Sequence, residues 1–441
     1  MNAPSKPRAR QRAPRLPADS LALALYHAAG LVAAVLEGQN LTRPLARLWQ
    51  ETPELSAPQR GAIQDLTYTT LRAWGYGEAL LAPLLRSLPP PPIHGLLLVA
   101  ATRLDQRPEQ AHTVVDQAVT ASGELLGGRL RGMVNGVLRN LVRRHAALQA
   151  EINSDEEARF RHPTWWLERL RARYPDRWQT VVDAANHPPP MALRANPRHV
   201  AADLLLARLE AAGIGARKHG SGALCLDRPV PVGRIPGFAE GDCSVQDPGA
   251  QRAAGWLDLA PGQRVLDACS APGGKTAHIL ETADVDLVAL ELDPERTDRV
   301  RDNLERLGLD ARLQVADCRD LAHWWDGIPF DRILADVPCS ASGVVRRHPD
   351  IKWLRREEDV AGFASQQAEI LDRLWQTLRP GGKMLYATCS VFEEENSAQV
   401  QQFCAGHADA RVISLDGLPE QQLLPCADHD GFFYALFKKA D

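Results

Sequence analysis

The chain has 441 residues, 45% of them hydrophobic and 24% charged, enough to bury more core than one ordinary domain holds, so two or three domains are expected. A formal net charge of −4 argues against a protein that coats nucleic acid through its global field, so any binding to RNA must come from local patches. Eight cysteines, none spaced C-x-x-C, fit neither a secreted disulfide framework nor a zinc ribbon. No metal is expected, and the thiols read as free, with individual ones available for catalysis.

Residues 1–18 form a basic tail in which Lys6, Arg8, Arg10, Arg12 and Arg15 precede the first acid, Asp19. The Pro and Ala between them cannot build a core, so disorder is expected. The apolar stretch from Leu21 to Leu36 follows, and a charged segment before an apolar one must be weighed as a secretory leader. Tyr26, His27 and Gly30 interrupt it, Asp19 and Ser20 suit a helix N-cap, and its spacing suits the buried first helix of a bundle. The leader is therefore rejected. No other stretch approaches the ~20 uninterrupted apolar residues of a membrane span, so a cytoplasmic protein without a membrane partner is expected.

Residues 19–150 carry an almost wholly helical pattern, broken at Pro53, Pro58 and the run Pro89 to Pro92. This predicts a helical bundle. Its last segment, Arg129 to Arg144, alternates an apolar face with arginines, which reads first as a solvated face and second as a surface for RNA. In residues 151–240, Trp165, Trp166, Tyr174 and Trp178 are interleaved with Arg161, Arg169, Arg171, Arg173 and Arg177. Such a set can stack on RNA, but tryptophan at helical spacing reads first as core. A short strand, a helix over about Val200 to Ala212 and two further short strands make this region a small α/β unit.

In residues 241–441, strands alternate with helices, the pattern of a parallel, doubly wound sheet. Strands are expected at Arg264 to Ala268, Leu287 to Glu291, Leu313 to Ala316, Arg332 to Asp336 and Lys383 to Thr388. Two late strands, near Arg411 to Leu415 and Phe432 to Phe437, lack a long helix between them and suit an antiparallel hairpin at the sheet edge.

The first of these strands runs into Asp267-Ala-Cys-Ser-Ala-Pro-Gly-Gly-Lys-Thr276 and then a helix. Small residues at a strand-to-helix turn let backbone N–H groups approach a ligand beside a helix N-terminus. A phosphate-binding G-x-x-x-x-G-K-T would need Gly where Cys269 stands, and G-x-G-x-x-G is absent, so neither an NTPase nor an ordinary dinucleotide enzyme is favoured. Glu291 closes the second strand, where an acid can accept hydrogen bonds from ribose hydroxyls or simply cap the next helix. Asp317, after the third strand, carries the same two readings.

Two more strands end in Asp336-Val-Pro-Cys339-Ser340 and Thr388-Cys389-Ser390, which puts both thiols over one crevice. Carbon 5 of cytosine is too weak a nucleophile to accept a methyl group until a thiolate adds at carbon 6, after which it behaves as an enamine. The carbon-5 proton and the thiol must then leave, which gives a second thiol work to do. Enzymes that methylate amino groups tend to carry Asn or Asp, Pro, Pro and an aromatic here, whereas this chain has Asp-Val-Pro-Cys.

The chain closely resembles the bacterial 16S ribosomal RNA cytosine-5 methyltransferases of the RsmB (Sun/Fmu) type, within the RsmB/NOP class of S-adenosylmethionine-dependent enzymes. The resemblance rests on Asp267 to Thr276, Asp336 to Val344 with Arg346 to Trp353, Tyr386 to Ser390 with Glu393 to Asn396, and Asp430 to Tyr434. Val134-Asn-Gly-Val-Leu-Arg-Asn140 makes the bundle similar to the RNA-binding NusB domain. The implied architecture is an all-α NusB-like bundle, a small α/β subdomain and a Rossmann-like methyltransferase domain with an antiparallel C-terminal hairpin.

The resemblance also implies roles. Cys269, Ser270, Ala271, Pro272, Gly273, Gly274 and Lys275 would contact S-adenosylmethionine, Glu291 would hold its ribose in a position where the family more often has Asp, and Asp317 would lie near its adenine. Cys389 would be the nucleophile, Asp336 would touch cofactor and target base, and Cys339 would assist release of the product. Lys275 offers a positive charge near the base and a way to lower a thiol pKa. Arg346, Arg347 and Lys352 are expected to hold phosphates. The expected partner is naked or partly assembled 16S ribosomal RNA, and a monomer is expected. A transfer RNA cytosine-5 methyltransferase and a noncatalytic RNA-binding assembly factor are the competing readings.

Overall fold

A computed structural model describes residues 14–152, 154–220 and 222–441, and its contacts divide the chain into two units. Lys6, Arg8, Arg10 and Arg12 of the basic tail lie outside the described residues. The first unit comprises residues up to Thr164 together with His348–Leu354, and the second comprises Trp165–Arg347 and Arg355–Asp441.

The first unit is helical. Its central helices, Leu21–Leu36 and Pro91–Gln106, bury Leu25, Val32, Leu97 and Val99 against one another. Burying each such side chain contributes about 1.5–3 kcal/mol. Ser20 caps the first helix, its hydroxyl accepting the Leu23 N–H at 3.2 Å. Gly95 permits the close approach of the two helices, because a Cβ there would sit 2.5 Å from the Ala29 carbonyl oxygen. Helices Ala57–Arg72, Ala111–Ser122 and Arg131–Ile152 complete the core through Ile63, Val114, Val134 and Leu138. Trp353, from the His348–Leu354 segment, packs on Trp74 with ring centroids 5.6 Å apart.

The second unit carries two sheets. In the smaller, β1 (Ala192–Ala195), β2 (Ala216–His219), β3 (Ala223–Leu226) and β4 (Cys243–Val245) pair antiparallel in the order β2-β3-β1-β4, and the helix Ala202–Ala211 packs on them through Leu205 and Leu209. The larger sheet contains β5 (Arg264–Asp267), β6 (Asp286–Glu291), β7 (Arg312–Val315), β8 (Phe330–Asp336), β9 (Leu378–Thr388), β10 (Ala410–Ile413), β11 (Glu420–Leu423) and β12 (Phe432–Lys439). Its order is β10-β12-β9-β8-β5-β6-β7, with β11 paired beside β10 along β12.

Side chains alternate across this sheet with the two-residue period of a strand. Leu266, Val288, Ile333, Met384 and Tyr386 face the helices Glu357–Thr377 and Ser397–Gly406, while Val265, Leu287, Leu334 and Leu385 face Gly274–Thr282 and Pro294–Arg306. Strands β5 to β9 are parallel and β12 runs antiparallel beside β9. The chain builds outward from β5 through β6 and β7, then returns to place β8 on the other side of β5. The order therefore reverses at the carboxyl ends of β5 and β8, the place where open α/β sheets hold ligands. The expected edge strands are present, joined by β11, whose polar Glu-Gln-Gln-Leu gives no strand pattern.

Candidate active site

The loop after β5 is built to lie flat against its surroundings. Ser270 N–H donates to the Leu290 carbonyl at 2.8 Å and Gly273 N–H to the Ser270 carbonyl at 2.7 Å. Gly273 has φ +95°, and a Cβ there would sit 3.1 Å from Val300 Cα, so glycine answers both the turn and the neighbouring helix. Thr276 donates its hydroxyl to Asp267 Oδ2 at 2.7 Å, while Asp267 Oδ1 is buried with no partner. Burial pushes the Asp267 carboxyl up to about 7, with the Thr276 hydrogen bond opposing and the Asp336 charge adding.

A cavity of about 720 Å³ opens at the switch point, and its walls include Cys269, Ala271, Glu291, Asp317, Asp336, Cys339 and Cys389 of the expected site residues. Ser270, Pro272, Gly273 and Gly274 belong to the same loop but do not line the cavity. Lys275 reaches it through a 2.6 Å ion pair with Asp336. Glu291, 5% exposed, accepts the Asp293 N–H at 3.1 Å and Arg296 Nη1 at 3.3 Å on Oε1 and the Ala271 N–H at 3.3 Å on Oε2, so Oε2 keeps a lone pair for a hydroxyl. Asp317 is held below the usual carboxylate range by its hydrogen bond from Arg319, which pairs with it at 2.7 Å.

These groups fit S-adenosylmethionine. The volume falls in the ~300–1,000 Å³ range of small-molecule sites. Glu291 keeps an acceptor for a ribose, Asp317 and Asp336 present carboxylates to the cavity beside the cations that pair with them, and the orphaned Asp267 oxygen ends β5 beneath.

Register explains how two cysteines so distant in sequence meet. Ala335 pairs with Tyr386 and Asp336 with Ala387 on adjacent parallel strands, so Cys339 and Cys389 leave β8 and β9 side by side. Their sulfurs are 3.3 Å apart, hydrogen-bonding distance and far beyond the ~2.05 Å of a disulfide. Cys339 is 8% exposed and Cys389 more open. The hydrogen bond to Cys389 and then burial push the Cys339 thiol well up, which favours its protonated form. A second sulfur contact was not foreseen. Cys269 and Cys318 lie on the same wall, and their interaction holds the Cys269 thiol up and the Cys318 thiol down. The one signal for Cys318 in the sequence is that it follows Asp317.

The expected phosphate contacts need correction. Arg346 is 2% exposed, with Nε against Asp430 and Nη1 donating to the Cys426 carbonyl at 2.7 Å. Arg347 pairs with Asp430 and, at 3.0 Å, with Asp247. Lys352 is 0% exposed, and its ammonium donates to the carbonyls of Arg161 at 2.8 Å and Arg72 at 3.2 Å inside the helical unit. Burial and the charges of Arg161 and Arg72 hold the Lys352 amine well below its ordinary range. Carboxylates and carbonyls from distant sequence thus occupy these cations, Arg346 and Lys352 being buried and Arg347 partly exposed. Of the tryptophans, Trp166 follows the core reading and is buried, whereas Trp165 is half-buried against Phe392 at 5.7 Å and Trp178 is half-buried under the Arg171 guanidinium at 4.3 Å.

The pattern of the family described as 16S rRNA methyltransferase RsmB/F matches residues 254–438, that of the ferredoxin-like domain of RsmF/B-like methyltransferases matches 162–233, and that of the NusB family matches 22–143. The chain is 42% identical to ribosomal RNA small subunit methyltransferase B of Vibrio cholerae serotype O1, over 93% of this chain and 96% of that protein. The protein of the same name from Salmonella arizonae is 43% identical over 92% and 96%. Among solved structures, PH0851 superposes with a TM-score of 0.80 at 21% identity, covering 94% of this chain and 99% of the other. A methyltransferase homologue from Pyrococcus horikoshii gives 0.58 at 25% identity, covering 65% and 98%.

Proposed function

The chain belongs to the 16S rRNA methyltransferase RsmB/F family, and from that premise we propose that it methylates carbon 5 of a cytosine in 16S ribosomal RNA with Cys389 as nucleophile. The observation that carries this reading is the 3.3 Å sulfur pair on the wall of a cavity that also bears Glu291 and Asp336.

The target base must leave its stack to reach the cavity, which costs least from a loop or bulge. Cys389, as the more open sulfur, adds to carbon 6 of the base. Asp336, held by Lys275, steadies the ring nitrogen that gains a proton as the thiolate adds. Glu291 and Asp317 would hold the ribose and adenine ends of S-adenosylmethionine, which would supply the methyl group. Transfer of the carbon-5 proton to solvent water in the open cavity then lets the electrons of that bond re-form the ring double bond and expel Cys389 as thiolate. Cys339 assists this elimination by keeping its S–H aimed at the departing sulfur. The enzyme acts as a monomer in the cytoplasm on naked or partly assembled RNA.

Mapping 5-methylcytosine across total RNA with and without the gene tests the substrate. One mark missing from 16S ribosomal RNA is expected. A mark missing from transfer RNA alone would overturn the ribosomal assignment.

A further inference from the structure

Beneath the two sulfurs lies a carboxylate that the chemistry above does not use. Glu395 ends the short turn Glu393–Glu395 and is fully buried. Its Oε1 accepts the Ser340 N–H at 2.7 Å, and its Oε2 accepts the hydroxyls of Ser340 and Ser390, both at 2.5 Å. Ser340 follows Cys339 and Ser390 follows Cys389, so one side chain ties together the turns that carry the two sulfurs. Ser342 lies between the same two hydroxyls, 3.0 Å from each. Gln367 donates to Oε1 at 3.3 Å, and Tyr386 donates to the Glu395 backbone carbonyl at 2.5 Å.

We propose that Glu395 is a positioning residue that holds Cys339 against Cys389, so that the S–H of the first stays aimed at the sulfur of the second. The inference deepens the thiol chemistry proposed above and rests on it. A carboxylate suits this task because both its oxygens are acceptors only and together take three donors from two turns. A glutamine would offer one acceptor oxygen and turn an NH₂ group toward hydroxyls or an amide N–H. Burial of so polar a group without a cation is costly, and it raises the Glu395 carboxyl against the pull of its serine and glutamine donors. Its charge also acts on Cys339 in the direction that keeps that thiol protonated.

The test is alkylation of Cys389 by iodoacetamide in the full-length protein, followed across pH by peptide mass spectrometry without RNA. Binding of S-adenosylhomocysteine reports that the cavity is intact. The ionisable groups around the sulfurs, Asp336 with Lys275, Tyr386 and Tyr434, are the same in every variant. Glu395→Gln is expected to slow alkylation near neutral pH by about tenfold and move its midpoint to higher pH, one pH unit being tenfold in thiolate. Cys339→Ala is expected to do the same, and the double variant to do no more than Cys339→Ala alone. If Glu395→Gln does not fold, Ser390→Ala and Ser340→Ala carry the same expectation. A profile that superposes on the wild type, or effects of Glu395 and Cys339 that simply multiply, would overturn the proposal. Because no methyl transfer is read, failure of this proposal is separable from failure of the proposed reaction.

Discussion

Arg194 of β1 and Glu281 of the Gly274–Thr282 helix form a buried two-pronged ion pair, Nε to Oε2 and Nη2 to Oε1 each at 2.7 Å. The same guanidinium donates through Nη1 to the Gly274 carbonyl at 2.9 Å. The small sheet thereby holds the helix that opens directly from the glycine loop. Removing one partner of such a pair leaves the other charge buried, which typically costs about 3–5 kcal/mol. Arg194→Leu is expected to lower stability by that order in urea denaturation and to weaken S-adenosylhomocysteine binding in calorimetry.

Asp267 gives the protein a specific pH dependence. Its carboxyl is raised from 3.8 to about 7 in the folded state, so between about pH 4 and 7 the folded chain holds a proton that the unfolded chain has released. Stability from this group is complete below pH 4 and is lost as the pH rises through 7, on the order of 4 kcal/mol in all. Asp267→Asn keeps an acceptor for Thr276 and removes the titration. Denaturation of the cofactor-free protein at about pH 4.5 and 7.5 should show a smaller fall for the variant than for the wild type.

The buried arginines make a contrasting prediction for RNA. An arginine on a phosphate changes the salt dependence of binding when removed. Arg346 instead neutralises Asp430 in the interior, so Arg346→Ala should lower the melting temperature and leave the slope of RNA affinity against salt unchanged. Filter binding across a salt series measures that slope.

Cys339→Ala separates addition from elimination. With Cys389 intact and its neighbour gone, addition to carbon 6 remains possible while release stalls. A protein–RNA adduct that survives denaturing electrophoresis is expected to accumulate with this variant and to be absent from Cys389→Ala.

Much of the methyltransferase sheet is legible from short apolar runs such as Leu287 to Leu290 and Ile333 to Ala335, which alternate with helical stretches and are buried on both faces as parallel strands are. The cavity residues were legible for a related reason. A ligand site at a switch point draws on strand ends, and Glu291 and Asp336 close their strands while Cys339 and Cys389 follow theirs within a few residues. What escaped depends on pairs far apart in the chain. Nothing near Arg346 announces Asp430, nothing near Arg194 announces Glu281, and Lys352 finds its carbonyl partners at Arg72 and Arg161. A basic loop therefore read as solvent-facing when its charges were already spoken for. Strand β11 was missed because Glu-Gln-Gln-Leu, at a sheet edge, has no buried face to leave a pattern.

The measurement that bears most directly on the central claim is covalent trapping on RNA containing 5-fluorocytosine, whose carbon-5 fluorine cannot depart as a proton, followed by peptide mapping of the adduct. The account predicts a stable adduct, in the presence of S-adenosylmethionine, on the peptide containing Cys389. An adduct on Cys339, or RNA that is methylated with no thiol ever attached, would contradict it.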